Sequence, residues 1–159
     1  MTIRFDAREV PVADREEAVR ATVARTLAPL EIDFAPDRGP ASASLEITNL
    51  TELTVWSVTT SAVKVQYKAL PRDDFRPSLF LGLQKSGSCV VDQRGRQITL
   101  RPGDLAVWDS TNPFVVADDD GLTQHKFRVP LDRLALPIDV IRQVGAVRLC
   151  PDHPISDMA

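Results

Sequence analysis

From Thr54 to Val129 the chain alternates apolar and polar residues with a period of two, and turn residues cut this stretch into short pieces. Thr54-Trp56-Val58 face one way and Val55-Ser57-Thr59 the other, and Val63-Val65-Tyr67 oppose Lys64-Gln66-Lys68 in the same manner. A period of two belongs to a strand, whose successive side chains point to opposite faces. Further strands are expected over residues 78–85, 88–93, 96–100, 104–109, 113–117 and 122–129. Gln93-Arg94-Gly95-Arg96 fits a hairpin turn, and Pro102-Gly103 carry the residues a type II turn wants at its two central positions. Strands this short, with no helix between them, bury an apolar face by closing into a barrel or by packing two antiparallel sheets.

The flanks read differently. Over residues 14–28 Val19, Val23, Leu27 and Leu30 recur close to helical spacing, and Glu16 and Arg20 stand four apart on another face. Asp14 followed by Glu17 resembles a capping box, and Pro29 marks the stop. Ile138, Ile141 and Val144 indicate a short helix ending at Gly145. The expected organisation is an N-terminal arm over 1–13, one barrel domain over 14–135 led by the helix at 14–28, and a C-terminal extension over 136–159.

Composition narrows the function. A chain of 159 residues with 43% apolar and 26% charged residues suffices for one core of ordinary size. The net charge of −3, with 15 of the 19 basic residues being scattered arginines, argues against nucleic-acid binding by this piece. The first residues lack the apolar stretch of a signal peptide, and no run approaches the roughly 18 apolar residues of a membrane span, so a cytoplasmic protein is expected. Cys89 and Cys150 lack framework spacing and read as free thiols. Asp73-Asp74 read as loop surface, because consecutive residues on an extended chain face opposite ways.

The ordered set Leu83-Gln84-Lys85-Ser86-Gly87, Gln93-Arg94-Gly95-Arg96 and Leu100-Arg101-Pro102-Gly103-Asp104-Leu105 resembles a cupin barrel. With Asp109-Ser110-Thr111-Asn112-Pro113-Phe114 and the Arg128-Val129-Pro130 to Leu131-Asp132-Arg133-Leu134 junction, it resembles the N-terminal effector-binding domain of AraC-type transcriptional regulators over roughly residues 12 to 155. The resemblance implies a mostly-β, cupin-type double-stranded β-helix (jelly-roll) barrel with a flanking N-terminal helix and a short C-terminal helix. Metal-binding cupins carry a His-x-His pair, a Glu and a further His that converge on one ion. Carried onto this chain, the His-x-His window falls on Asp73-Asp74-Phe75-Arg76, the Glu position on Phe80 and the last His on Phe114. With only His125 and His153 in the chain, no three-ligand site is available, and no metal or other cofactor is expected.

The same resemblance implies a small-molecule effector in the barrel. Phe80 and Phe114 are expected to point inward, as is Gln84 by strand parity, and Trp108 is a further lining candidate. Thr123 and His125 match positions that contact the effector in sugar-sensing relatives. The aromatic residues also have a plain alternative as barrel filling, and His125 as a hydrogen-bonded structural residue. The implied function is the sensor domain of a transcriptional regulator. Its promoter contact would be made by a C-terminal helix-turn-helix part that these residues do not contain, and a homodimer is compatible with it. The competing class is a metal-independent cupin isomerase or epimerase using His125 with Lys126 or Tyr67, against which stands the lack of a readable acid–base pair. Elemental analysis of the purified, dialysed chain is expected to find no stoichiometric Fe, Mn, Ni or Zn; about one ion per chain would overturn the ligand reading of Phe80 and Phe114.

Overall fold

The computed structural model describes residues 1–69 and 76–149. Asp73, Asp74, Phe75, Cys150 and His153, singled out above, lie outside the described residues. The strands are β1 (Thr2–Asp6), β2 (Glu31–Phe34), β3 (Ala43–Asn49), β4 (Thr54–Thr60), β5 (Val63–Tyr67), β6 (Ser78–Ser86), β7 (Cys89–Gln93), β8 (Arg96–Leu100), β9 (Leu105–Asp109), β10 (Phe114–Ala117), β11 (Leu122–Pro130) and β12 (Val147–Leu149). Helices α1 (Arg15–Thr26) and α2 (Ile138–Gln143) flank them.

The alternation seen in the sequence becomes two antiparallel sheets, ordered β1-β3-β4-β11-β6-β9-β12 and β2-β5-β10-β7-β8. Their inner faces meet in one core that takes Ile47, Trp56, Phe80, Ala106 and Trp108 from the first sheet and Tyr67, Val91, Leu100, Phe114 and Val116 from the second. This is the jelly-roll architecture. A second cluster closes the end of the sandwich, where Val19 and Val23 of α1 pack on Ile32, Phe34, Ala43, Leu45 and Val63. The helix therefore acts as a cover over one mouth of the barrel.

Local chemistry explains the corners. Arg94 and Gly95 take φ of 55° and 71°, the paired positive angles of a type I′ hairpin. At the Pro102-Gly103 turn the Asp104 amide donates to the Arg101 carbonyl at 2.9 Å, and the Asp104 carboxylate accepts from the Arg101 amide at 2.8 Å. Buried glutamines tie the two sheets together. Gln93 on β7 donates to the Asp109 carbonyl (2.6 Å) and accepts from the Asp109 amide (3.2 Å), so a side chain continues the hydrogen bonding across the sandwich.

Three differences from the sequence reading have physical causes. Asp14 does not cap α1: it belongs to a 3-10 turn at Val12–Asp14, takes φ −103° and ψ −5°, and its side chain makes no cap hydrogen bond. A capping side chain needs an extended N-cap backbone from which to fold back onto the helix. Leu27, expected on the helix, lies beyond its last turn, and with Leu30 it still packs against the core. Strands β1, β2, β3 and β12 are additional to those expected; β2 and β12 have only 4 and 3 residues, too short for alternation to register.

Gly82, in the middle of β6, sets the packing. A Cβ placed there would stand 2.6 Å from Cη2 of Trp108, so the indole lies directly on the β6 backbone. Gly82→Ala is therefore expected to push the indole off its seat and to destabilise the fold by about 1–3 kcal/mol, the range for overpacking a filled core. Chemical denaturation followed by tryptophan fluorescence measures both effects, and an unshifted midpoint with an unchanged spectrum would contradict the packing.

Candidate ligand cavity beneath helix α1

The core is aromatic at the place where α1 covers it. Phe80 (β6) packs edge-on to Trp56 (β4) at 6.1 Å between ring centroids and edge-on to Phe114 (β10) at 5.8 Å. It stacks near Trp108 (β9) at 6.2 Å, while Tyr67 (β5) stacks on Phe114 at 5.2 Å. Register imposes the arrangement: Phe80 is paired with Trp108 and Phe114 with Tyr67, so each pair shares a face.

Between these rings and the chain leaving α1 lies a cavity of about 30 Å³ bounded by Leu27, Leu30, Trp56, Phe80, Trp108, Phe114, Lys126 and Arg128. A second, of about 70 Å³, lies under α1 between Val19, Val23, Leu27, Leu30, Trp56, Val65 and Lys126. Leu27, Leu30, Trp56, Val65 and Lys126 form the wall between the two. Both are far smaller than the roughly 300–1,000 Å³ of a small-molecule site. Leu27 and Leu30 wall both spaces on the side of the α1 exit. The Leu27–Leu30 segment also lines an open groove of about 460 Å³ outside it, together with Asn49–Thr54, Arg76 and Arg128. Arg128 thus stands at the boundary between groove and interior.

Lys126 and Arg128 are the unusual members of the lining, since β11 carries them on its inner face. The pairing of Gln84 with Gln124, Gly82 with Lys126 and Phe80 with Arg128 forces them inward with the rest of that row. Lys126 Nζ lies 5.7 Å from the centroid of the Trp108 ring, a cation–π contact. No carboxylate lines either cavity. Burial pulls the ammonium pKa down to about 8, with the Cys89 thiol opposing weakly. Arg128 donates from Nη1 to the Leu27 carbonyl at 2.7 Å and from Nη2 to the Thr54 hydroxyl at 3.2 Å, latching the exit of α1 to the sheet. Burial also lowers the Arg128 pKa. Trp108 Nε1 is buried and has no hydrogen-bond partner.

Of the residues expected to line the barrel, Phe80, Trp108 and Phe114 meet around the cavity. Gln84 also points inward and is fully buried, but its amide is engaged elsewhere. Its Nε2 donates to the carbonyls of Ser86 (2.9 Å) and Gly87 (3.0 Å), and its Oε1 accepts from Gln124 Nε2 at 2.5 Å. Thr123 and His125 lie on the opposite face of β11. Thr123 bonds the Thr59 hydroxyl at 3.0 Å, and His125 Nδ1 bonds the Ser57 hydroxyl at 2.6 Å, both across to β4. The expectation that His125 joins Gln84 in the barrel is therefore corrected, since adjacent residues of one strand alternate faces and Gln124, Lys126 and Arg128 occupy the inner row. The same alternation places His125 and Lys126 on opposite sides of the sheet, which removes them as an acid–base pair. Among the described residues no group of three or more His, Cys, Asp and Glu side chains stands close enough to hold one ion. No described helix is long and apolar enough to cross a membrane.

Sequence reasoning missed Arg128 and Trp56, and named Lys126 only as a catalytic partner of His125, not as a lining residue. A Gln-x-Lys-x-Arg row reads as a solvated face, and the interleaved Phe127 and Val129 read as the core row. Only the register of β11 with β6 reverses that choice.

The two antiparallel sheets of the jelly roll enclose an aromatic core with small cavities beneath α1. The model of the AraC-binding-like domain family matches residues 19–157, and the chain belongs to that family. The crystal structure of the AraC-like transcriptional activator CuxR overlays on 99% of this chain with a TM-score of 0.83 at 15% identity, a likeness of fold. This chain covers 57% of that one. An uncharacterized protein in the nit 5′ region of Bacillus sp. (strain OxB-1) is 30% identical over 80 residues, which are 49% of this chain and 31% of that protein. The chain thus spans well under two thirds of the length of these relatives.

The buried amine yields a pH prediction. Its folded pKa, about 8, lies below the ordinary 10.5, so below pH 8 the ammonium is charged in both states and the folded state carries the full burial penalty. As pH rises from about 8 towards 10.5 the folded state loses its proton first and the penalty fades, by about 1.4 kcal/mol for each tenfold difference in proton affinity between the two states. The Cys89 thiol, pushed up to about 11 by burial, contributes the opposite slope at the top of this window. The comparison of wild type with Lys126→Met isolates the lysine. Thermal melts should show the variant more stable at pH 7, with the gap narrowing by pH 10; a gap independent of pH would contradict the buried charge.

Proposed function

We propose that this domain is the effector sensor of an AraC-type regulator. A small molecule enters between α1 and the aromatic core, and its binding is coupled to a helix-turn-helix DNA-binding part outside these residues. The observation that carries the reading is the covered cavity, where Phe80, Trp108, Phe114, Lys126 and Arg128 line a space whose wall is the exit of α1. Family membership supports it, as does the position of Arg128, which links the interior of the barrel to the Leu27 carbonyl and hence to the seating of the helix. A ligand that binds better when this cover is displaced shifts the population of covered and opened barrels, and that shift is the signal available to the rest of a regulator. The protein would then act in the cytoplasm, with promoter contact made by the other part and with a homodimer as one arrangement that brings two such parts together. In this reading Gln84, Thr123 and His125 hold the sheet together rather than the effector.

A thermal-shift screen of small metabolites tests this. A ligand at 100 times its Kd adds roughly 2.7 kcal/mol of stability. Phe114→Ala, which opens the cavity, should destabilise the free protein by less than the roughly 3–5 kcal/mol of a fully packed phenylalanine, because the ring borders a void. It should also change the affinity of any ligand found. A ligand whose complex structure places it outside the barrel would refute the sensor assignment.

A further inference from the structure

We propose that the cavity takes a small organic monocarboxylate, with its carboxylate on Lys126 and Arg128 and its apolar body against Trp56, Phe80 and Phe114. This rests on the sensor reading above and narrows it to a class of ligand.

The argument begins with uncompensated charge. Lys126 and Arg128 both reach into space that no Asp or Glu lines. Within the barrel Lys126 has one stabilising contact, the Trp108 ring, and no hydrogen bond or ion pair to Nζ occurs among the described residues. Lys126 is half-buried, and an ammonium drawn into apolar surroundings is costly unless it is paired, so a position of this kind is a poor choice for stability alone. A methionine of similar shape would fill it without penalty. An anion entering the cavity removes the penalty, and in a low-dielectric, water-poor space a charge-assisted hydrogen bond is strong and short.

The surroundings then select the anion. The cations and the unpartnered Trp108 Nε1 are all donors. A polyhydroxy ligand such as a sugar needs acceptors and donors on several sides, and walls of Leu27, Leu30, Trp56, Val65 and Phe80 do not provide them. A dianion such as a phosphate monoester is more strongly hydrated than a carboxylate and has more desolvation to recover from the same few donors, two of which on Arg128 already serve the Leu27 carbonyl and the Thr54 hydroxyl. One ammonium with open donors matches one carboxylate. The aromatic and aliphatic walls match a single ring or a short chain, since the small cavities on either side of Lys126 merge only as Leu27 and Leu30 give way. A carboxylate that also reaches Arg128 competes with the Leu27 carbonyl for the guanidinium, so binding and the release of the α1 exit become linked events.

The test uses the chain of residues 1–159 with benzoate, phenylacetate and hexanoate as probes, their primary amides as neutral counterparts, and phenyl phosphate as the dianionic arm. Calorimetry and thermal shift are read on wild type, Lys126→Met and Lys126→Arg, with circular dichroism confirming that each variant is folded. At least one carboxylate is expected to bind. Its affinity should fall by about tenfold or more in Lys126→Met, equivalent to roughly 1.4 kcal/mol, and be largely kept in Lys126→Arg. Its amide should not bind measurably. Amides that bind as well as acids, or acids indifferent to Lys126→Met, overturn the carboxylate assignment while leaving a sensor of neutral ligands intact. Phenyl phosphate binding more tightly than every carboxylate overturns the choice of a monoanion. Silence from the whole panel also overturns the assignment, and the sensor reading then stands or falls on the metabolite screen.

Discussion

The molecule depends on the contact between the inner faces of its two sheets, where Trp56, Phe80 and Trp108 of the seven-stranded sheet meet Tyr67 and Phe114 of the five-stranded one, the Trp108 indole lying on the bare backbone of Gly82 in its own sheet. Contact of the Phe114 ring with Phe80 and Trp108 bridges the two sheets at one edge of the cavity. It also fixes the direction of the rings, because each aromatic residue is paired across its sheet with another member of the cluster or with a residue beside it. Close packing of large rigid rings leaves gaps that cannot be filled by small shifts, and the cavities beneath α1 are such gaps. The buried glutamines complete the frame by carrying hydrogen bonds from sheet to sheet, as Gln93 does to Asp109.

On that frame, helix α1 is a separate and weaker element. It contributes Val19 and Val23 to the second apolar cluster, Arg20 bonds it to the Ile32 carbonyl, and its exit is held by the packing of Leu27 and Leu30 and by the Arg128 guanidinium on the Leu27 carbonyl. The sheet hydrogen bonds of β11 with β4 and β6, by contrast, run along almost the whole strand. Local opening proceeds where buried contacts and shared hydrogen bonds are few, so the α1 exit is the natural place for the barrel to breathe.

The inward row of β11 shows why stability and binding pull in different directions here. A strand designed for stability alone would place Phe127 and Val129 inward and Lys126 and Arg128 in solvent, as binary patterning prescribes. The chain does the reverse, and the outer side of the same strand is held by hydroxyl and imidazole bonds such as His125 to Ser57. Places where a local rule is broken without a structural gain are where function is expected to reside.

The fold was legible in the sequence because its determinants are local. The period of two, the Arg94-Gly95 and Pro102-Gly103 turns and the ordered spacing between them define the strands from β4 to β11 nearly residue by residue, and with them the class of fold. The inward facing of Phe80 and Phe114 was implied by the family resemblance rather than by periodicity, with Trp108 a further candidate, and all three line the cavity. The remaining part of the site was not legible. Whether His125 or Lys126 faces the cavity differs by one step along β11, and a one-step change reverses every side chain of the strand. Nothing within β11 makes that choice; it is made by the pairing of Gln124 with Gln84 on a strand 40 residues earlier and of Lys126 with Trp56 on a strand still farther away. The capping of α1 was likewise decided by the 3-10 turn that precedes it rather than by the residue types at its start. Sequence alone determined the strands from β4 to β11, since their alternation and turns depend on neighbours in the chain, while β1, β2, β3 and β12 emerged only in the structure. The tertiary structure alone decided that two cations point into the barrel, because that orientation is a property of register between strands.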